Sequence, residues 1–241
     1  MSERAGPASA ELTSAAKFEK LTSGAENVVI GFFESESADG VKNFKEAAEA
    51  LRGKVKFAHT FNKEVSEKAG QEFNNMVLYR PAKMKSKFEE QVLAYESKKW
   101  TVGLIKNWVK SNAQGLAPVI DPKGAEELGY PQVLAIYNVD YELDPKGTQY
   151  WRNRVMKIAS EFKDDKAKTK FAVASKDAWG GFLNEVGKPW TKEPIVVAFD
   201  DKDTKYLMEE TFTTDGSALR ELEMLRKILS RVVRIFQPIK K

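Results

Sequence analysis

The sequence predicts an α/β protein of two tandem domains, each a mixed β-sheet flanked by helices, and three observations carry that expectation. Short continuous apolar runs, such as Val28 to Phe33 and Val133 to Val139, alternate with stretches whose apolar residues recur every three or four positions. Buried-strand signals interleaved with amphipathic-helix signals are what strand–helix–strand units on a partly parallel sheet require. The same order of signals restarts near residue 114. A chain of 241 residues is also long enough to give each copy its own core.

In the first copy a helix is expected at about 14–22, capped by Thr13 or Ser14. The run VVIGFF at 28–33, bounded by Gly24 and a polar cluster, reads as a buried strand. Val41, Phe44, Ala48 and Leu51 then place apolar residues on one helical face, ended by Gly53. A strand at 55–61, a short helix at about 63–69, strands at 75–79 and 91–95, and a helix on Val102, Ile105, Trp108 and Val109 complete the copy. The second copy opens with the strand at 133–139, and Trp151, Val155, Ile158 and Phe162 mark the helix after it. Strands beginning at Lys170, at 195–199 and at 205–212 follow, and a basic helix from about Ser217 to Phe236 closes the chain, expected to cover its sheet.

This is the element order of a thioredoxin-like domain, met twice. The domains are expected at 11–113 and 114–236, joined near Asn112 to Pro118, with a linker at 1–10 and a tail at 237–241. Redox chemistry in that fold needs a cysteine pair between the first buried strand and its helix, where the helix N-terminus lowers a thiol pKa. The corresponding residues here are Glu34 to Ala38 and Asp144 to Thr148.

With no cysteine at all, these 241 residues can neither exchange disulfides nor build a thiolate metal site. The single histidine, His59, rules out a paired-histidine mechanism or a His-rich zinc site, and its place in KFAHTF suits a strand histidine with a local hydrogen bond. Gly-rich phosphate loops and a GxSxG elbow are absent, and Asp200, Asp201 and Asp203 read as a hairpin turn without EF-hand spacing. No catalytic residue, cofactor or metal is therefore expected. Neither a signal-peptide pattern nor a membrane-spanning stretch is legible. A net charge of +4 is too small to argue for nucleic acid, so polyanion recognition would have to come from local clusters. Two such clusters stand out: Arg80, Lys83, Lys85 and Lys87, and Lys146, Arg152, Arg154 and Lys157. Cations near a helix start oppose the helix dipole, a modest argument that the second cluster serves a function.

The segments GFFES at 31–35, FAHT at 57–60, LYRP at 78–81, KFEE at 87–90, VDYE at 139–142, KGTQYWRNRVMKIASEF at 146–162 and FAVAS at 171–175 resemble the non-catalytic b and b′ domains of the protein disulfide isomerase family. The branch they resemble is the A-three type, which handles glycoproteins with calnexin and calreticulin. The resemblance runs from about Ala5 to Leu222 and lapses beyond about Met224. It implies a monomeric, non-catalytic binding scaffold in the endoplasmic reticulum lumen that docks the acidic arm domain of calnexin or calreticulin. It assigns that docking to Lys87, Lys146 and Arg154, with Arg152 nearby. The other reading implied by the family is general binding of unfolded polypeptide in an apolar groove of the second domain.

Overall fold

A computed structural model describes residues 6–97, 99–162, 169–188, 193–201, 204–208 and the backbone of 236–238. The chain divides into two units, Met1–Gly115 and Leu116–Lys241.

In the first unit five strands lie in the order β1-β3-β2-β4-β5, comprising β1 (Ser9–Glu11), β2 (Val28–Phe32), β3 (Lys56–Thr60), β4 (Asn75–Tyr79) and β5 (Val92–Ala94). The crossovers make β1–β3 and β2–β3 parallel, whereas β2–β4 and β4–β5 are antiparallel. Because successive side chains of a strand point to opposite faces, β2 feeds two cores. Val29 joins Phe33, Phe44, Ala48, Leu51, Ile105 and Val109 under α2 (Val41–Ala50) and α4 (Val102–Ala113). Val28, Ile30 and Phe32 join Phe18 and Val65 under α1 (Ala15–Thr22) and α3 (Lys63–Ala69). Ser14 and Thr101 cap α1 and α4 by accepting from the Lys17 and Leu104 amides.

One expectation fails in this unit. Part of the polar linker forms the edge strand β1, in register with Phe57, Ala58 and His59 of β3. Three residues carry no readable alternation, and the pairing rests on backbone bonds plus specific side chains. Leu12 N–H donates to the His59 carbonyl at 2.8 Å, the Thr60 hydroxyl donates to the Leu12 carbonyl at 2.7 Å, and Ser9 Oγ lies 2.8 Å from His59 Nδ1. His59 is thus a buried strand histidine, as expected, but its side-chain hydrogen bond is to Ser9 of the neighbouring strand, fifty residues away in the chain, and not local.

The second unit has the order β10-β9-β8-β6-β7, built from β6 (Gln132–Tyr137), β7 (Lys170–Ser175), β8 (Ile195–Phe199), β9 (Lys205–Met208) and β10 (Phe236–Pro238). Only β6–β7 is parallel among these pairs. A single parallel bridge from Val119 to Val173 stands where β1 stands in the first unit. Helix α5 (Pro122–Leu128), for which the apolar pattern gives no expectation, is started by Asp121 accepting from the Gly124 amide and by Pro122 at its first position. Helices α6 (Pro145–Glu161) and α7 (Gly180–Glu185) complete the unit. Phe236, expected at the end of a helix, and Gln237, expected at the start of a tail, both lie in β10, paired antiparallel with β9. The expected helix from Ser217 and the end of the strand to 212 fall outside the described residues.

Candidate docking surface

Helix α6 presents two faces. Thr148, Arg152, Val155, Met156, Ile158 and Ala159 are buried, at the spacings that keep residues on one side of a 3.6-residue turn. The opposite side carries Lys146, Gln149, Tyr150, Asn153, Arg154 and Lys157. Glu161, at the last position, is the sole acid within the helix.

Asp144 caps α6, accepting from the Gly147 amide at 2.9 Å, and Pro145 occupies the first position. The segment Asp144 to Thr148, expected as the loop that would bear a redox pair, is therefore the cap and first turn of the helix. This start also revises the dipole argument. Arg152 and Arg154 lie about two turns in, beyond the reach of the terminal charge, so the opposition applies to Lys146 alone.

The expected site residues separate by environment. Lys87 belongs to the first unit, exposed in the loop before β5, its ammonium 5.3 Å from the centre of the Phe88 ring. Lys146 is exposed in the first turn of α6. Arg154 is half-buried, its guanidinium carbon 3.3 Å from the Tyr150 ring centre and 5.6 Å from that of Trp151, with Nη1 donating to the Tyr150 carbonyl at 3.0 Å. The two rings meet edge to face at 5.0 Å. A planar cation stacked on an aromatic ring keeps its fork in one orientation with little further entropy to lose.

Arg152 is a correction to the expected set. It is 1% exposed, and its Nε donates to the Ala117 carbonyl at 2.9 Å, so it ties α6 to the start of the unit and offers no surface to a partner. Arg80 of the first cluster is likewise buried, donating to the Asn112 carbonyl at 2.8 Å and to the Glu90 carbonyl, with the Glu89 carboxylate 4.0 Å away. Trp151, expected in the core, is half-buried. Tyr150 was not singled out from the sequence, although its place four residues before Arg154 is the spacing at which helix side chains meet.

Burial lowers the pKa of His59, the nearby Lys45 ammonium lowers it further, and Glu11 and Glu36 oppose them. Burial also lowers that of Lys176 and raises that of Tyr137, whose hydroxyl donates to the Thr148 carbonyl at 2.9 Å. Among the described residues no three His, Asp or Glu side chains converge as a metal site, and no helix is long and apolar enough to cross a membrane.

Two sheets of this strand order, with no thiol at either helix start, define a pair of cysteine-free thioredoxin-like folds. A family model described as a thioredoxin-like domain matches residues 33–222, and the chain belongs to that family. It is 38% identical over 222 residues to protein disulfide-isomerase A3 of Gallus gallus, covering 91% of this chain and 44% of that protein. Protein disulfide-isomerase A4 of Bos taurus is 29% identical, with 92% of this chain and 34% of that one covered. The chain thus spans less than half the length of these relatives. Its structure is similar to the crystal structure of the bb fragment of ERp72, with a TM-score of 0.80, 26% identity and coverage of 97% of this chain and 100% of that one. Human ERp44 form II shares the fold at a TM-score of 0.65 and 16% identity, covering 94% and 58%. The chain is a thioredoxin-like protein without a thiol among its 241 residues, and it resembles the matched part of protein disulfide-isomerase A3.

Proposed function

We propose that this module is a non-catalytic scaffold in the endoplasmic reticulum lumen that docks the acidic arm domain of calnexin or calreticulin, so that catalytic domains elsewhere reach glycoprotein clients. The observation that carries the reading is the solvent side of α6, where Arg154 is stacked on Tyr150 and exposed Lys146 stands on the same stripe. Arginine offers a planar fork to carboxylates and lysine a point charge, so contacts with an acidic arm are charge-assisted and weaken with salt. Lys87 adds a cation from the first unit. Similarity to protein disulfide-isomerase A3 supports the choice of partner.

Calorimetric titration with an isolated arm domain at low and physiological salt tests it, alongside Arg154→Glu. The expected result is saturable binding that weakens with salt and drops in the variant by on the order of 2–5 kcal/mol for a pair shielded from water. Affinity unchanged in the variant would refute the docking site. Salt-insensitive binding of apolar peptides, unaffected by Arg154→Glu, would point instead to a polypeptide-binding groove.

A further inference from the structure

Strand β5 is fastened at both ends and open along one side. Arg80 N–H donates to the Gln91 carbonyl at 2.9 Å and Tyr95 N–H to the Met76 carbonyl at 2.7 Å, so the ladder with β4 reaches one residue past the strand in each direction. The Tyr95 ring is buried against Trp100 and Trp108, and its hydroxyl donates to the Lys99 carbonyl at 2.9 Å. In an antiparallel ladder the bonded and non-bonded pairs alternate. With Gln91 and Tyr95 bonded to β4, the N–H and C=O groups of Val92 and Ala94 point away from it, to the side on which no strand is paired among the described residues. Both residues are exposed, Val92 by 42%.

The second unit shows what such an edge accepts. There β9 pairs with β8 as β5 pairs with β4, antiparallel in both cases, and it holds the same place in the strand order. On its outer side β9 carries β10, also antiparallel, and no residue of β9 is exposed. In sequence β10 belongs to a stretch in which Ile235, Phe236, Pro238 and Ile239 stand between Arg234 and Lys240. Among the described residues β5 has no such neighbour, and an exposed glutamate flanks it on each side, Glu90 and Glu96. Those acids disfavour a second copy of this chain as the occupant. In a two-fold pairing of β5 with itself about Leu93, Glu90 of one copy faces Glu96 of the other, and like charges directly opposite are destabilising.

We propose that the outer side of β5 takes up, as an added antiparallel strand, an extended segment of a partner protein in which apolar residues stand between basic ones. Val92 and Ala94 each give the segment one N–H and one C=O, their side chains meet its apolar residues, and Glu90 and Glu96 meet the cations at its two ends. Because β5 is already held at both ends, little of its order has to be acquired on binding. The edge lies in the first unit and shares no residue with the α6 docking surface, so the two readings stand or fall separately.

The test titrates the whole chain, at physiological salt, with the end-capped peptide Lys-Thr-Val-Thr-Val-Thr-Lys, whose valines fall opposite Val92 and Ala94 when its lysines face Glu90 and Glu96. It is expected to bind about fivefold tighter than the same peptide with glutamate at both ends, as for two exposed ion pairs. N-methylation of its two valines, whose N–H groups face β5, should abolish binding, whereas N-methylation of the outer threonines should not. Ala94→Pro removes an outward N–H and no bond to β4, and should abolish binding too. Should that variant fold poorly by circular dichroism, the double variant Glu90→Gln, Glu96→Gln, exposed at both positions, reads the same edge by losing the preference for lysine ends. Arg154→Glu is expected to leave peptide binding unchanged, whatever it does to arm-domain binding. No saturable binding, equal affinity for the two peptides, equal effects of the two N-methylations, a preference that survives the double variant, or a dimer in sedimentation that Ala94→Pro dissolves would each overturn the proposal.

Discussion

The two units lay the same helix over the same strand and finish it differently. In the first, α2 begins at Gly40, whose φ of +92° and absent Cβ let Trp100 pack where a side chain would sit 2.5 Å from the indole. In the second, α6 begins at a capping aspartate and a proline. The surface of α2 is balanced, with Lys45 paired to Glu36 at 3.1 Å and Glu49 to Arg52 at 2.6 Å. The surface of α6 is one-signed up to Glu161. Two copies of one topology thus show that the fold leaves the outward face of this helix open to choice, and Lys146 and Arg154 of the docking reading stand on the helix whose charges do not cancel.

The largest expected effect breaks the comparison from inside the second unit. Arg152→Ala leaves a cavity under α6 and an orphaned Ala117 carbonyl, and should destabilise that unit by about 2–4 kcal/mol. In urea unfolding followed by circular dichroism and tryptophan fluorescence, one transition should move to lower denaturant while the transition of the first unit stays in place. A variant with both transitions unchanged would mean that Arg152 is not the tie its hydrogen bond describes.

A smaller effect sharpens the contrast between the outer faces. Removing the ring in Tyr150→Ala frees the Arg154 fork, and affinity for an acidic arm domain should fall by about 1 kcal/mol, the scale of an exposed cation–π contact. Tyr150→Phe keeps the ring and should restore binding. If both variants bind like the parent protein, the stacking does not prepare Arg154 for a partner.

How far each feature is legible in the sequence follows from its range of interaction. The central strands and the amphipathic helices are readable because burial imposes a period of two or 3.6 on residues adjacent in the chain. Edge strand β1 is not, since its three residues, Ser9, Ala10 and Glu11, take their structure from β3, about fifty positions away. The same limit separates the basic residues. Lys87, Lys146 and Arg154 look like Arg152 and Arg80 in sequence, and what parts them is a long-range acceptor, the Ala117 carbonyl for Arg152 and the Asn112 carbonyl for Arg80. Helical phase is the local clue for Arg152, which falls on the face of Thr148, Val155 and Ala159.

The smallest expected effect belongs to the first unit alone, because the second has no histidine. His59 is buried against β1 with Ser9 at 2.8 Å from Nδ1 and the Phe61 ring at 5.3 Å. Burial, with Lys45, holds its pKa below the ordinary value of 6.5, and Glu11 and Glu36 only partly offset this. The unfolded chain therefore takes up a proton before the folded one does, and stability rises with pH wherever the two differ. Stability is whole above the unfolded pKa, about 6.5, and declines as pH falls from there through the lower folded value. Between pH 7.5 and 5.5 the urea midpoint of the first unit should decrease, and amide exchange should quicken first in Ser9 to Leu12, whose strand is held by the His59 carbonyl and ring. In His59→Gln that share of the pH dependence should vanish while the rest, from carboxylates titrating lower, remains; an identical pH profile in the variant would mean that the imidazole keeps its proton equilibrium unchanged on folding.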